Sequence, residues 1–291
     1  MNPLQRLGRA LTVASMRPPL AQQLVLHRPA RDAVDLTGRR VLLTGASSGI
    51  GESAAEQFAK HGATVIAVAR RRDLLDTVAR RITGSGGSAV ALPCDLSDLD
   101  AADRLVETVE EQFGGVDILI NNAGRSIRRP MIESLERWHD VERTIALNYY
   151  APLRLIRGLA PGMLERRDGH IINVSTWGVT ASSSLFSVYN ASKAALSAFS
   201  RAIDGEWSER GVRQTTLYYP LVKTPMIAPT RAYDGLPGLT ADEAAEWMIT
   251  AARMRPVRIM PRLALAAQAL DTMNPSVVNA LMKRQVIQPG S

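Results

Sequence analysis

A glycine-rich segment that follows a short apolar run is the feature of this sequence that most restricts its fold. Residues 41–44 (Val-Leu-Leu-Thr) have the character of a buried strand, and Gly45-Ala46-Ser47-Ser48-Gly49-Ile50-Gly51 then leads into a helical pattern that starts at Glu52. Glycines let the backbone turn tightly and approach a pyrophosphate, which the free N–H groups of a helix N-terminus can bind. A glycine triplet alone is weak evidence, so it is the strand–turn–helix context that predicts a dinucleotide site.

The rest of the chain repeats this alternation of strand and helix. Further apolar strands are predicted at 63–69, 89–93, 116–120, 171–174 and 212–218, and helices of 10 to 20 residues or more separate them. The longest helical stretch is predicted over 134–166, either continuous or broken near Pro152. This order predicts an α/β fold with a doubly wound parallel sheet of the Rossmann type. Near-continuous apolar strands fit a sheet that is buried on both faces. We expect one domain at 39–260, a basic helical extension at 1–38 and a helical tail at 261–291.

The positive charge of the chain lies mainly in its two ends. The net charge is +7 over 291 residues, with seven Arg and two Asp in residues 1–40 and six Lys/Arg and one Asp in residues 251–291. A protein that binds nucleic acid would carry this charge on a face of the folded body, so we expect no nucleic-acid partner. The N-terminal arm has an amphipathic helical pattern at 4–11 and a short apolar piece at 20–26. The basic arms could instead contact an anionic membrane surface or an acidic ligand, or pack on the body or on a second subunit. We expect a cytoplasmic protein, with membrane association through the arms as the alternative.

Cysteine and histidine usage excludes several other kinds of site. Cys94 is the single cysteine, so an internal disulfide and cysteine-based metal sites are excluded. The four histidines are scattered without the spacing of metal ligands, and we expect them to be structural or surface residues. No metal site is therefore predicted.

The end of the second strand indicates which dinucleotide would bind. An acidic residue there binds the ribose 2′-hydroxyl of NAD, whereas an Arg accommodates the 2′-phosphate of NADP. The sequence reads Ala69-Arg70-Arg71-Arg72 and has no acid before Asp73. This favours NADP (NADPH), with Arg70 and Arg71 as phosphate ligands. Asp95, just after the third strand, could contact the adenine or simply serve as a turn or helix-cap residue.

A tyrosine and a lysine four residues apart are candidates for proton transfer. Tyr189 and Lys193 open a long helical pattern, and this spacing places both side chains on one helix face. A nearby ammonium favours the phenolate, so we expect Lys193 to lower the pKa of Tyr189. The pattern is also common on ordinary surface helices, which makes the rest of the motif set necessary to the argument.

Taken together, the motifs resemble the short-chain dehydrogenase/reductase family of the classical type. The segment 44–51 is similar to its cofactor loop, Asn121-Asn122-Ala123-Gly124 to its fourth-strand motif, Asn148 to its helical active-site Asn, and Tyr189 and Lys193 to its catalytic pair. The resemblance covers residues 38–260. It implies a Rossmann-type fold, hydride transfer with a nicotinamide cofactor, and a homodimer or homotetramer.

The resemblance also implies roles for individual residues. Tyr189 would exchange a proton with the substrate oxygen, Lys193 would lower the Tyr189 pKa and bind the nicotinamide ribose, and Asn148 would hold a water that links Lys193 to solvent. Thr224 would bind the nicotinamide carboxamide. The candidate cofactor-binding positions are Gly45, Ser47, Ser48, Gly49, Ile50, Gly51, Arg70, Arg71, Asp95, Asn122, Ala123, Gly124, Tyr189, Lys193, Pro220, Val222 and Thr224.

The chain departs from the family pattern at two places. The family often has Ser-Ser at the end of the fifth strand, where this sequence has Ser175-Thr176. Since Thr can donate and accept like Ser, either hydroxyl could orient the substrate carbonyl. After the sixth strand the family usually has Pro-Gly, where this sequence has Pro220-Leu221.

The second departure points to a subfamily. The loop at 219–230, the segment 174–178 and the Asn274-Pro275 tail resemble the reductase domain of bacterial fatty acyl-CoA reductases. We therefore expect an NADPH-dependent reductase of a fatty acyl-CoA or long-chain aldehyde. The basic arms would then suit a CoA phosphate or a membrane that holds the lipid. The alternatives are a dehydrogenase of ketones, steroids or other apolar secondary alcohols, and a catalytically idle NADP-binding regulator, against which the intact Asn148, Tyr189 and Lys193 argue. Apolar residues that could cover such a substrate, or form a subunit interface, are Trp177, Val179, Leu185, Phe186, Met226, Ile227, Leu236 and Leu239.

Overall fold

The computed structural model describes residues 12–19, 33–181, 183–228 and 230–287. Seven parallel strands form one sheet in the order β3-β2-β1-β4-β5-β6-β7. The predicted parallel, doubly wound sheet is confirmed. The strands are β1 (Arg40–Thr44), β2 (Thr64–Ala69), β3 (Ser88–Pro93), β4 (Ile118–Asn121), β5 (Gly169–Thr176), β6 (Val212–Tyr219) and β7 (Arg258–Ile259).

Helices cover both faces of this sheet. They are α1 (Gly49–Lys60), α2 (Arg72–Gly84), α3 (Leu99–Phe113), α4 (Trp138–Ile145), α5 (Ala151–Glu165), α6 (Ser187–Trp207), α7 (Ala241–Met254), α8 (Arg262–Met273) and α9 (Pro275–Ile287). Successive strand side chains point to opposite faces, so Leu43 packs with α1, α2 and α7, whereas Leu42 packs with α3 and α5. Both leucines are fully buried, which fits their apolar surroundings on either side.

The strand order places the loops that carry the motifs at one edge of the sheet. β1 pairs with β2 on one side and with β4 on the other, so the chain reverses its winding direction between β1 and β4. The carboxyl ends of the strands at such a reversal form the crevice in which open α/β sheets bind ligands. The glycine-rich loop after β1, the 122–124 segment after β4 and Thr176 at the end of β5 all lie at this edge.

The long helix predicted over 134–166 is divided into several pieces. A 3₁₀ turn at Met131–Ser134 and α4 precede a π-helical turn at Ala146–Tyr150, after which α5 begins. Pro152 has no N–H to donate to the carbonyl of Asn148 four residues earlier, so a regular α-turn would lack a bond here. A wider π-turn forms here instead. Such turns are rare in proteins and often occur at functional sites.

The described part of the N-terminal extension packs against the body. Residues 12–16 are helical, Met16 is 93% buried in the core, and the backbone N–H of Arg262 donates to the carbonyl of Arg17 at 3.0 Å. The amphipathic pattern at 4–11 and the apolar piece at 20–26 lie outside the described residues. Among the residues that the structure describes, no helix is long and apolar enough to cross a bilayer. The division at residues 38 and 260 stays a prediction.

Candidate active site

The glycine-rich loop is packed so closely that side chains would not fit at two of its positions. Gly45 has a φ of +71°, and a Cβ there would lie 3.0 Å from the Cα of Ala123. A Cβ at Gly51 would overlap the carbonyl oxygen of Gly45 and would lie 2.8 Å from Nδ2 of Asn122. The loop therefore needs glycine to pack against the 122–124 segment, and the N-terminus of α1 stays open toward the crevice.

Thr44 joins the two strand ends on which this loop depends. Its Oγ1 donates to the carbonyl of Ile120 at 3.1 Å and accepts from the backbone N–H groups of Asn122 (3.0 Å) and Ala123 (2.9 Å). The side-chain amide of Asn122 donates to the Thr44 carbonyl at 2.9 Å. The motifs alone do not predict this role of Thr44. A threonine as the last residue of an apolar strand is the sequence feature that could have indicated it.

The structure separates the two candidate hydroxyl groups. Thr176 shares a side-chain hydrogen bond with Tyr189 and also accepts the Gly178 N–H at 3.2 Å. Ser175 is 97% buried, and its hydroxyl lies 2.9 Å from Oγ of Ser197 on α6. Adjacent strand residues point to opposite faces, so only Thr176 is directed to the phenol.

Lys193 and Asn148 meet on the other side of the same crevice. A Cβ at Gly124 would lie 3.4 Å from both Nζ of Lys193 and Oδ1 of Asn148, so the two polar atoms flank this glycine. Nζ of Lys193 donates to the Val174 carbonyl at 2.8 Å. Nδ2 of Asn148 donates to Oγ of Ser192 at 3.0 Å. Ser192 is a further site residue that the motif analysis did not single out, although it directly precedes Lys193.

Burial dominates the proton affinities of the Tyr–Lys pair. Tyr189 retains some exposed surface, but the surrounding protein raises the pKa of its phenol to about 12, and the hydrogen bond with Thr176 opposes this rise. Burial lowers the pKa of Lys193 from 10.5 to about 8. The expectation that Lys193 lowers the Tyr189 pKa is thus wrong for this arrangement, because the ammonium is directed to a backbone carbonyl and burial outweighs its charge.

Of the arginines after β2, Arg71 lies next to Ser48 of the glycine-rich loop. Nη2 of Arg71 lies 3.4 Å from Oγ of Ser48, which forms no side-chain cap on α1. The Arg70 side chain is 67% exposed and lies 4.0 Å from Asp95. Asp95 also accepts the Ser97 N–H at 2.9 Å, so it serves as a turn residue as well as facing Arg70. Together with the glycine loop, these residues fit a phosphorylated dinucleotide, since the helix N-terminus, the Ser48 hydroxyl and two guanidiniums lie at the same sheet edge.

The loop after β6 returns to this edge of the sheet. Pro220 is buried, and Val222 forms a parallel bridge with Leu239. A Cβ at Gly49 would lie 3.2 Å from Cβ of Thr224, so Thr224 faces the glycine loop. Between these anchors the loop carries the exposed apolar residues Met226 and Leu236, whereas Leu239 is buried. The remaining candidates for a substrate cover, Trp177, Val179, Leu185, Phe186 and Ile227, are partly buried.

The C-terminal tail lines a cavity next to this region. Val179 and Thr180, which follow the turn after β5, face Gln268 and Asp271 of α8 across a cavity of about 260 Å³. Within the residues that the structure describes, no group of three His, Cys, Asp or Glu side chains has a metal-binding arrangement.

Known proteins are similar to this chain in sequence and in fold. The short chain dehydrogenase family matches residues 39–234. A fatty acyl-CoA reductase of Mycobacterium tuberculosis is 71% identical over 285 residues, 98% of this chain and 97% of that protein. A fatty acyl-CoA reductase of Acinetobacter baylyi is 46% identical over 248 residues, 85% of this chain and 84% of that protein. The L-sorbose reductase of Gluconobacter frateurii, solved in complex with NADPH and L-sorbose, superimposes with a TM-score of 0.69 at 28% identity and covers 80% of this chain and 94% of its own. The chain therefore belongs to the short chain dehydrogenase family.

Proposed function

We propose that this protein is an NADPH-dependent reductase of a long-chain fatty acyl-CoA or fatty aldehyde. The observation that carries the proposal is the phenol of Tyr189, which faces the Thr176 hydroxyl at the same sheet edge as the glycine loop. The substrate class is supported by the two fatty acyl-CoA reductases that this chain resembles over most of its length. In the reductive direction a protonated phenol supplies the proton that the developing alkoxide needs.

The cofactor would be held by the residues of the glycine cradle and the arginines beside it. The N-terminus of α1 would bind the pyrophosphate, and Arg70, Arg71 and Ser48 would bind the 2′-phosphate. NADPH, when bound, supplies the hydride for the substrate carbon. Asn122, Ala123, Gly124, Pro220, Val222 and Thr224 would form the remaining wall of the cofactor site.

Proton transfer is assigned to Tyr189 and its neighbours. Tyr189 would donate its phenolic proton to the carbonyl oxygen, and Thr176 would donate a hydrogen bond to the same oxygen as negative charge develops there. With an acyl-CoA, the C–S bond of the resulting thiohemiacetal would then break, the hydroxyl proton would pass to the sulfur, and coenzyme A would leave as its thiol with the aldehyde as product. Ser175 would take no direct part, because its hydroxyl is already engaged with Ser197. Lys193 and Asn148 would return a proton to Tyr189.

The assembly and the location of the protein belong to the same proposal. We propose a homodimer or homotetramer, as in the family that the motifs resemble, and peripheral membrane contact through the basic terminal arms. Light scattering tests the first point. For the second, binding to anionic vesicles should fall when residues 1–38 are deleted; binding that stays equal would refute the membrane role of this arm.

A substrate screen with matched variants tests the reductase activity. NADPH oxidation should be seen with long-chain acyl-CoA or aldehydes, and should be much weaker with ketones of similar size. Tyr189→Phe should abolish turnover, and Thr176→Val should lower kcat by about 10² or more, the usual cost of one oxyanion donor. Ser175→Ala is the matched control and should retain most of the activity. A Ser175→Ala loss larger than that of Thr176→Val would refute the assignment of the hydroxyl.

Cofactor choice has its own test. Arg70→Asp should raise the Kd for NADPH and leave the Kd for NADH nearly unchanged, because only NADPH carries the 2′-phosphate. An equal loss for both cofactors would show that Arg70 does not recognise this phosphate.

A further inference from the structure

A group of arginines in the segment that runs from the end of β4 through α4 surrounds one buried carboxylate, Asp140 of α4. We call Arg125, Arg128, Arg129, Arg137 and Arg143 the arginine cluster. Asp140 lies within salt-bridge distance of three of them: 3.8 Å from Arg125 Nη2, 2.7 Å from Arg129 Nη1 and 2.9 Å from Arg137 Nε. Its side chain is only 10% exposed.

The cluster carries more positive charge than its carboxylate balances. Hydrogen bonds from Arg137 and Arg129 lower the pKa of Asp140 to about 2, so it supplies one full negative charge to three guanidiniums. Burial lowers the pKa of Arg125, and the charge of Arg143 lowers it further. The segment 125–143 holds three other acids, Glu133, Glu136 and Glu142, against the five arginines. Among the residues that the structure describes, the salt bridges of the cluster all go to Asp140, and Glu142 accepts a hydrogen bond from the Trp138 indole N–H at 3.0 Å. An excess of guanidinium charge at a partly buried position is typical of an anion-binding site.

Backbone groups of the cluster form hydrogen bonds with residues at or near the candidate active site. The N–H of Arg125 donates to Oδ1 of Asn148 at 2.8 Å, and Nδ2 of Asn148 donates to the Arg125 carbonyl at 2.9 Å. The N–H of Arg129 donates to the carbonyl of Leu185 at 2.9 Å, four residues before Tyr189. The cluster is therefore held at a fixed position beside the catalytic phenol.

The exposed member Arg128 lies in the chain between Arg125 and Arg129, whose backbone groups are hydrogen-bonded to Asn148 and Leu185. Burial raises the pKa of Tyr233, and the nearby Arg128 guanidinium opposes this rise. Burial is the main cause of the raised pKa of Tyr189, and Tyr233 adds to it. Tyr233 belongs to the loop after β6, which carries the exposed apolar residues.

We infer that the arginine cluster binds the phosphate groups of coenzyme A while the acyl carbonyl lies at Tyr189. The inference rests on the proposed function and adds how the coenzyme A part of an acyl-CoA would be recognised. Coenzyme A carries a pyrophosphate and a 3′-phosphate, and guanidiniums bind phosphate oxygens in bidentate pairs. A fatty aldehyde has no anionic group, so the cluster would distinguish acyl-CoA from aldehyde.

NADPH is the other possible source of phosphate, since the charge of Arg70 also acts on Arg125. The exposed Arg128 and Arg143 are the residues to change, because Arg129 and Arg137 support the buried Asp140. The matched control is Arg210→Ala. Arg210 is exposed and lies just before β6, at the opposite edge of the sheet.

The experiment compares two substrates and a binding measurement. In the Arg128→Ala/Arg143→Ala double variant, kcat/KM for palmitoyl-CoA should fall about 10-fold or more, in line with the loss of charged hydrogen bonds. The values for hexadecanal and the KM for NADPH should change less than about 2-fold. Calorimetric titration of the wild-type protein should show binding of coenzyme A that the double variant weakens, and pantetheine, which lacks the phosphates, should bind equally weakly to both.

The outcomes separate this inference from the proposed function. Equal losses for palmitoyl-CoA and hexadecanal, a raised KM for NADPH alone, or no loss at all would overturn the inference. A wild-type protein that binds no coenzyme A would overturn it as well. A wild-type protein that binds coenzyme A through these arginines but reduces neither substrate would refute the proposed reductase and leave the binding site supported.

Discussion

Replacing Lys193 with methionine should make the protein more stable at neutral pH. The side chain of Lys193 is 97% buried, and burial lowers its pKa from 10.5 to about 8. At about 1.4 kcal/mol for each tenfold change, keeping it charged at pH 7 costs roughly 3 kcal/mol. Methionine has a similar length and no charge, but it leaves the Val174 carbonyl without its hydrogen bond, which costs about 1 kcal/mol. The net gain in the free energy of unfolding should be about 2 kcal/mol.

The pH dependence gives this prediction its sign. The folded protein releases the Lys193 proton near pH 8, whereas the unfolded chain holds it up to about pH 10.5. Between these values the unfolded state binds more protons, so the stability of the wild-type protein rises with pH. The penalty is fully present below pH 8 and is relieved as the pH rises. The advantage of Lys193→Met should therefore shrink by about 2 kcal/mol between pH 7 and pH 9.5.

Urea unfolding without cofactor, followed by circular dichroism at pH 7, 8, 9 and 9.5, measures this difference. Lys60→Met is the matched control, because Lys60 is exposed at the end of α1 and its replacement should show no such trend. The reasoning would be refuted by a Lys193→Met variant that is less stable at pH 7, or by an advantage that stays constant with pH.

Three further predictions each concern a single residue. Gly51→Ala should lower the free energy of unfolding by about 3 kcal/mol and abolish NADPH binding, because the new Cβ collides with a backbone carbonyl oxygen that cannot move aside; Gly84→Ala, with open space around it, should be neutral or stabilising in the same denaturation assay. Pro152→Ala should let a regular α-turn form and displace Asn148, lowering kcat without loss of folding measured by circular dichroism, and an unchanged kcat would contradict this. Burial raises the pKa of the Cys94 thiol to about 11, so the native protein should resist thiol reagents at pH 8 and react only on unfolding; fast native labelling would contradict it.

The frame of the site could be predicted from the sequence because its signals are local. The glycine loop, the Asn-Ala-Gly segment after β4 and the Tyr–Lys spacing each depend on a few adjacent residues. The alternation of strands and helices predicts a parallel sheet. In such a sheet the loops after β1, β4 and β5 all lie at the same edge. Boundaries differed by a few residues, and the largest difference was the division of the predicted 134–166 helix.

The choice between Ser175 and Thr176 could not be predicted in this way. Alternation along a strand shows that the two hydroxyls point to opposite faces, but it does not show which face carries the phenol. That depends on α6, which places Ser197 against Ser175 and Tyr189 against Thr176. The predicted lowering of the Tyr189 pKa was wrong for a similar reason. The sequence spacing shows that Lys193 lies near Tyr189, but it does not show the burial that raises the Tyr189 pKa.

The two pKa values together give a direction to proton transfer. In the proposed mechanism, Tyr189 donates its proton to a substrate oxygen. The remaining phenolate would then have a proton affinity set by a pKa of about 12, whereas the Lys193 ammonium has a pKa of about 8. Proton transfer from Lys193 to the phenolate is therefore downhill by about four powers of ten. Lys193 itself can be recharged near neutral pH, and Asn148 lies beside it at Gly124. The proposed reduction should consequently slow above about pH 8, as the free ammonium is lost, and kcat measured from pH 6 to pH 10 should show this decline. A kcat that stays constant to pH 10 would mean that the proton returns to Tyr189 by a path that does not include Lys193.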